Sequence, residues 1–183
     1  MRPIRNTLGV LPAVLLALTS CEPRDGRPDV QERPLLSLDF EQPARGMEVP
    51  AALTTAQAHS GKSSLRLDVA AHQNKAVYRT ELGRLCAHRP RRFILGAWVW
   101  VPAFGDDASL VVSIDSAGKT PPAWQHTVYL SDIGPFGTWK HVRQAFDLPA
   151  QLSFKSQLTI SFAGASPANG PAYADDLQLA ELW

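Results

Sequence analysis

The strongest constraint on the fold of this chain is an alternation of apolar and polar residues. The period-two pattern occupies residues 36–40, 63–69, 93–101, 110–114, 126–130, 158–162 and 177–179, and turn-forming clusters rich in Gly, Pro, Ser and Asp separate these segments. A period of two places successive side chains on opposite faces of a strand. Short strands at this spacing are typical of antiparallel sandwiches and barrels. The sequence therefore predicts one all-β domain over residues 35–183, an antiparallel β-sandwich.

Composition narrows the possible partners. The chain has 18 basic and 17 acidic residues and a formal net charge of +1. Without a basic excess to neutralise phosphates, the sequence argues against nucleic acid as a partner. Its two cysteines, Cys21 and Cys86, are too few for a disulfide framework or a zinc cluster. We expect an ordinary domain that is monomeric.

The first 20 residues are typical of an export signal. Arg2 and Arg5 precede an apolar run over residues 8–18, which is too short for the roughly 20 residues of a membrane-spanning helix. The run ends in Leu18-Thr19-Ser20-Cys21, which resembles the lipobox of bacterial lipoprotein signal peptides. That resemblance implies cleavage before Cys21 and acylation of its thiol, and so a lipoprotein on the periplasmic side or the cell surface. A cleaved signal with an incidental cysteine and an uncleaved anchor are the alternatives.

A charged segment follows Cys21. Seven of the thirteen residues from Glu22 to Pro34 are charged, three are Pro, and Val30 is the only apolar one. Such a segment cannot bury enough surface to offset the entropy of ordering it. We therefore expect residues 21–34 to form an acylated cysteine and a flexible tether, so that the lipid anchor is the only contact with the membrane.

Within the predicted domain, five short motifs occur in an order that is recognisable. They are Asp39-Phe40-Glu41, the segment 58–65 with its Ser60-Gly61-Lys62 turn, Ala97-Trp98-Val99, the segment 137–142 that begins Gly137-Thr138-Trp139, and Tyr173-Ala174-Asp175-Asp176-Leu177. This order resembles the carbohydrate-binding-module jelly rolls of the galactose-binding-like superfamily. The resemblance covers nearly all of residues 36–183 and implies a two-sheet jelly roll.

The same resemblance implies a structural calcium ion. In such jelly rolls calcium commonly joins the first strand, the Ser-Gly-Lys loop and the last strand. The matching positions are Glu41, the loop from Ser60 to Lys62, and Asp175, with Asp176 as a reserve ligand and Asp39 as a weaker one. Carboxylates and loop carbonyls supply the oxygens that calcium takes. The alternative is that Asp175 only caps a turn and accepts hydrogen bonds from backbone N–H groups.

Jelly-roll order assigns eight strands to two sheets and so predicts two surfaces for a ligand. One sheet takes the strands near Leu65, Trp98, Val142 and Leu177, and the other takes those near Arg79, Val112, Val128 and Ile160. The outward positions of the second sheet form a polar face with one aromatic ring, and include Arg79, Glu81, Asp115, Gln125 and Tyr129. An aromatic ring beside polar groups suits a sugar, whose C–H face stacks while its hydroxyls are hydrogen-bonded. A merely solvated outer face is the alternative.

The second candidate surface lies on the first sheet. Trp98 and Trp100 project outward on the same side of one strand, about 7 Å apart. They could form a stacking platform, or they could be covered by Arg66, Arg143 or the tether. We expect the cover rather than the platform.

These observations predict a lipid-anchored carbohydrate-binding-like module at the bacterial cell envelope. No nucleophile elbow, phosphate loop or zinc-protease motif is present in the sequence, which favours a protein that is not an enzyme. The alternatives are a structural or accessory envelope lipoprotein with protein partners, and a polysaccharide-active enzyme.

Overall fold

The computed structural model describes residues 31–48, 53–67, 75–104, 108–115, 122–163 and 170–183. Its strands are β1 (Glu32–Leu38), β2 (Leu53–Thr54), β3 (Ser64–Leu67), β4 (Lys75–Glu81), β5 (Arg92–Trp100), β6 (Ser109–Asp115), β7 (Trp124–Tyr129), β8 (Trp139–Asp147), β9 (Gln157–Ala163) and β10 (Ala172–Leu182). A one-turn helix α1 (Leu82–Leu85) follows β4, and a 3-10 helix (Leu130–Asp132) follows β7. Neither has the length or the apolar character that crossing a membrane would require.

The strands form two antiparallel sheets. Sheet A has the order β2-β3-β10-β5-β8, and β1 also pairs with β10. Sheet B has the order β4-β9-β6-β7. The predicted division of the strands between two sheets is therefore confirmed, and the domain is the expected jelly-roll sandwich. β1 and β2 are additional to the eight strands assigned from the sequence, and both extend sheet A.

Alternating residues from both sheets fill the space between them. On sheet B the inward positions are Leu110, Val112, Ile114, Val128, Leu158, Ile160 and Phe162, each at most 4% exposed. On sheet A, Phe93, Leu95, Ala97, Val99, Leu177 and Leu179 are at most 1% exposed. This burial supplies the main driving force for the fold, because removal of apolar surface from water stabilises it by about 25 cal/mol per Å².

The domain begins earlier than the sequence analysis predicted. β1 starts at Glu32, and it pairs with the end of β10 through the partners Glu32–Leu182, Arg33–Glu181 and Pro34–Ala180. The Arg33 guanidinium lies 2.8 Å from the Glu181 carboxylate, and Glu32 pairs with Arg143. The boundary at residue 35 is thus wrong, because the last charged residues of the predicted tether find opposite charges across the sheet. The signal peptide, Cys21 and the rest of the tether lie outside the described residues.

Candidate functional site

The outer face of sheet B has a floor that is recessed from solvent. Ser109 and Val111 on β6, and Thr159 and Ser161 on β9, alternate with core residues and so point away from the core. Their exposures are nevertheless only 6%, 5%, 6% and 7% in that order. β6 and β9 are the two central strands of the sheet. The middle of this face is therefore shielded from solvent, unlike a flat, solvated outer sheet.

The floor carries a polar atom without a partner. Thr159 Oγ1 is buried and makes no hydrogen bond, whereas Ser109 Oγ donates to the Ala163 carbonyl at 3.3 Å. A buried hydroxyl that is left unpaired costs about 1–3 kcal/mol. Most such groups in native proteins have a partner, and an exception calls for an explanation. A ligand hydroxyl seated on the floor would supply that partner.

The predicted ligand residues surround this floor. The register places Arg79, Thr159, Ser113 and Gln125 in one row across the four strands, and Glu81, Gln157 and Asp115 in the next row. The structure therefore brings Arg79, Glu81, Asp115 and Gln125 together on one face, as the parity of the strands implied.

Tyr129 lies at the far end of edge strand β7, opposite Ser109, and is 59% exposed. It stands four residues from Gln125, or about 13 Å along the strand. The aromatic ring and the polar groups are thus spread along the length of the face, a layout that suits an extended ligand.

Two of the charged groups at this face are already paired. Arg79 lies 3.5 Å from Glu48, and Glu81 lies 3.8 Å from Arg84. All four side chains are at least 41% exposed, so these contacts are weak and can be exchanged for contacts with a ligand. The floor itself is uncharged, because its side chains are hydroxyls and one aliphatic group.

The tryptophans of the second candidate surface are covered in a way that the sequence did not reveal. The imidazole of His59 stacks on Trp98, with ring centroids 3.8 Å apart and an interplanar angle of 11°. His141 lies on the neighbouring strand at 5.2 Å, and Trp100 meets Tyr173 edge to face at 5.7 Å. Arg143, one of the covers considered from the sequence, is instead bonded to Glu32. The only signal for His59 was its position beside the Ser60-Gly61-Lys62 turn.

The same loop is fastened to the last strand by carboxylates. Asp175 is fully buried, and its Oδ2 accepts hydrogen bonds from the backbone N–H of His59 at 2.9 Å and of Ser60 at 3.1 Å. Its Oδ1 accepts the N–H of Asp176 at 2.8 Å. Asp176 in turn contacts His59 Nδ1 and accepts the Ser60 hydroxyl, both at 2.8 Å. We call the group of Glu41, residues 59–63, Asp175 and Asp176 the loop clasp.

Glu41 completes the clasp from the end of β1. Its Oε1 accepts the backbone N–H groups of Lys62 at 2.8 Å and Ser63 at 2.7 Å. These two donors lower the pKa of Glu41 below its ordinary value. At Asp175 burial raises the pKa, and the three backbone donors oppose that rise.

This geometry does not fit the calcium ion that the family resemblance implies. Backbone N–H groups of the loop donate to Asp175 and Glu41, while Asp176 is held by His59 and Ser60. No cluster of three or more His, Cys, Asp or Glu side chains suitable for a metal ion occurs within the described part of the chain. The predicted ligands Glu41, Ser60, Lys62, Asp175 and Asp176 thus lie together, but they satisfy one another.

Two antiparallel sheets in jelly-roll order give this domain the architecture of a jelly-roll β-sandwich. No protein-family model matches the chain, and no curated protein matches its sequence. Its fold matches 33 chains of solved structures.

Two of these are xylan-binding domains from Paenibacillus barcinonensis Xyn10C. The CBM22-1 domain matches with a TM-score of 0.51 and 18% identity, over 81% of this chain and 94% of that one. The CBM22-2 domain matches with a TM-score of 0.51 and 14% identity, over 80% of this chain and 99% of that one. At this level of identity the likeness establishes the fold, and function must be argued from the site.

Proposed function

We propose that this chain is a non-catalytic carbohydrate-binding module, held at the bacterial cell envelope by a lipid on Cys21. Glycan binds along the outer face of sheet B. The fold of the matched modules supports this proposal, and so do the residues on that face.

The observation that carries the proposal is the recessed floor around Thr159. A sugar is an array of hydroxyls joined by C–H faces. The unpartnered Thr159 hydroxyl and its neighbour Ser161 can exchange hydrogen bonds with hydroxyls. Tyr129, 59% exposed, offers an aromatic face for stacking at one end of the same cleft. The length of the face suits several sugar units in a row.

The chemistry of the floor supports binding without catalysis. Its side chains are those of Ser109, Val111, Thr159 and Ser161, none of which takes up or releases a proton near neutral pH. General acid–base catalysis needs a titrating group within hydrogen-bond reach of the reacting atom. The floor's own hydroxyls can hold a ligand but cannot act as a general acid or base, and the carboxylates of Glu81 and Asp115 lie in a different row of the face from Thr159.

The lipid anchor rests on the lipobox that ends at Cys21. It predicts that labelled palmitate is incorporated when the full chain is made in a bacterial host. Equal labelling of Cys21→Ser would refute the anchor and leave the glycan site untouched.

The binding site is tested by titrating the full-length protein with neutral polysaccharides, including xylan and mixed β-glucans. Tyr129→Ala should weaken binding about tenfold, because an aromatic stacking contact contributes about 1–2 kcal/mol. Phe104→Ala is the matched control, since Phe104 is 75% exposed but belongs to the segment that follows β5. Its affinity should equal that of the wild type.

A second variant separates binding from folding. Thr159→Val removes the unpartnered hydroxyl and keeps the side-chain shape, so we expect unchanged or higher thermal stability together with weaker glycan binding. Binding that survives both Tyr129→Ala and Thr159→Val would place the site elsewhere. If it were then lost in the double variant Trp98→Ala, Trp100→Ala, the site would be on sheet A. If no glycan bound, the module would instead be an accessory envelope protein.

A further inference from the structure

A second recess lies at the end of the sandwich where β4 and β8 finish. It has a volume of about 560 Å³, within the range of small-molecule sites. One wall is the segment 89–91, the other is the segment 147–154, and Leu82 also lines the recess. We call it the end pocket. None of the ligand residues predicted from the sequence lines it.

Hydrogen bonds between the walls preform the end pocket. Leu148 N–H donates to the Arg91 carbonyl at 2.8 Å, and Gly83 N–H donates to the Phe154 carbonyl at 2.9 Å. Gly83 packs so closely that a Cβ there would lie 3.1 Å from the Phe154 carbonyl oxygen. Ser156, which is 3% exposed, accepts the Ser153 N–H on its hydroxyl. The walls are thus fixed before any ligand arrives, which lowers the cost of binding.

The pocket combines an apolar lining with two uncompensated cations. Leu82, Leu148 and Leu152 are between 1% and 9% exposed. Arg89 and Arg91 are exposed and have no ion pair anywhere in the described part of the chain. The one acidic group of the lining, Asp147, is held by Arg92 through contacts of 2.7 Å and 3.4 Å. The lining therefore carries a net positive charge that no acidic group of the described residues neutralises.

Phe154 adds a surface for stacking. It is 42% exposed, although its neighbours in the lining include buried leucines. A guanidinium group binds a carboxylate through two parallel hydrogen bonds, and an exposed aromatic ring binds the C–H face of a sugar. A ligand that satisfies both has a carboxylate and a sugar ring in one small unit.

We propose that the end pocket is a second binding site, for an acidic sugar unit such as a uronate. Arg89 and Arg91 bind the carboxylate, Phe154 stacks on the sugar ring, and the leucines exclude water beneath it. The site is independent of the glycan face on sheet B. With both sites, one module could bind the neutral backbone of a polysaccharide and an acidic sugar attached to it.

The concave shape of the end pocket favours a small ligand over a membrane surface as its binding partner. Basic clusters that bind an anionic membrane surface carry about four to eight Lys or Arg residues. Arg89 and Arg91 instead border a cavity with buried leucines in its lining. That shape selects a small, separate anionic unit.

The test uses the full-length protein, oligogalacturonate and oligoglucuronate as probes, and the methyl esters of both as matched neutral probes. Binding is measured by calorimetry at low and at high salt. The acids should bind at least tenfold more tightly than the esters. Added salt should weaken the binding of the acids and leave the binding of the esters unchanged. Arg89→Gln with Arg91→Gln should weaken binding at least tenfold, and Phe154→Ala about tenfold. Arg45→Gln, at an exposed arginine outside the end pocket, should change nothing.

The other possible results overturn either the end-pocket proposal or the proposed function, and they can be told apart. Equal affinity for acid and ester, or no binding of either acid, would show that the end pocket does not bind an acidic sugar. Loss of uronate binding in Tyr129→Ala, with no effect of the arginine double variant, assigns the acid to sheet B. Binding to phosphatidylglycerol vesicles but not to uronates makes the patch a membrane contact. Neutral glycans that fail to bind while uronates still depend on Arg89 and Arg91 would refute the proposed function and leave the end pocket standing.

Discussion

Replacing Asp175 should destabilise the domain more than any other single carboxylate change in the loop clasp. Its two oxygens accept three backbone hydrogen bonds, from His59, Ser60 and Asp176, at 2.8–3.1 Å. The side chain is fully buried. Asp175→Ala removes the acceptors and leaves three N–H groups facing a small void.

The expected cost is about 2–3 kcal/mol, because three unpaired donors at about 1 kcal/mol each are partly offset by loss of the desolvated charge. A buried donor without a partner costs about 1–3 kcal/mol, and the lower end applies because the clasp borders solvent. Removing the desolvated charge returns part of this cost. Asp175→Asn keeps one oxygen for His59 and Ser60, but its amide N–H₂ then faces the Asp176 N–H. For Asn the cost should therefore be about 1–2 kcal/mol.

Urea unfolding of the full-length protein, followed by tryptophan fluorescence, measures both values. For a domain of this size about 3 kcal/mol lowers Tm by roughly 6–12 °C. Asp39→Ala is the matched control, because Asp39 is an exposed carboxylate that accepts one local hydrogen bond, from the Glu41 N–H at 3.1 Å. It should cost about 0.5 kcal/mol.

The fluorescence also reports on the loop. His59 is held by Asp175 and stacks on Trp98, so release of the loop should expose that indole and shift its emission to longer wavelength in Asp175→Ala. A stability of Asp175→Ala within about 1 kcal/mol of the wild type, or equal to that of Asp39→Ala, would refute the reasoning from unpaired donors.

Three further outcomes follow from the loop clasp. Gly61→Ala should cost about 1–3 kcal/mol in urea unfolding, because Gly61 has a φ of +58° and a Cβ would lie 2.5 Å from Glu41 Oε1; a stability equal to the wild type would contradict this. The folded-state pKa of Glu41 is lowered, so its carboxylate stabilises the fold above its ordinary pKa of 4.5 and loses that contribution as the pH falls through the lower folded value. The free energy of unfolding should therefore fall more between neutral and acid pH in the wild type than in Glu41→Gln, and equal falls would count against the Glu41 bonds. Calcium and a chelator should leave the wild-type Tm unchanged in differential scanning calorimetry, whereas a rise with calcium would show that the clasp rearranges to hold the ion.

The candidate site was predictable to the extent that it depends on strand parity. Alternation assigned Arg79, Asp115, Gln125 and Tyr129 to one outward face, and the register of β4, β6, β7 and β9 places them there. The depth of that face was not predictable, because the 6% exposure of Thr159 depends on what surrounds the centre of the sheet. A pattern along one strand contains no information about its neighbours' curvature.

The high density of charged residues between Glu22 and Pro34 led to a wrong prediction of where the domain begins. A charged run is a sound sign of a solvated segment only when its charges have no partners. Glu32 and Arg33 find Arg143 and Glu181, which lie 111 and 148 residues away in sequence. Pairings of that kind appear only when the strands are assembled.

The sequence by itself determined most of the strands and their inward residues, because period two is a local property that each segment expresses alone, and the order of its motifs, through the family resemblance, gave the division between two sheets. Only the tertiary structure decided that backbone N–H groups of the loop meet Asp175, that His59 covers Trp98, and that Arg91 and Phe154 share a pocket. Each of these contacts joins segments far apart in sequence. Their geometry follows from how the sheets and loops pack, which no local pattern encodes.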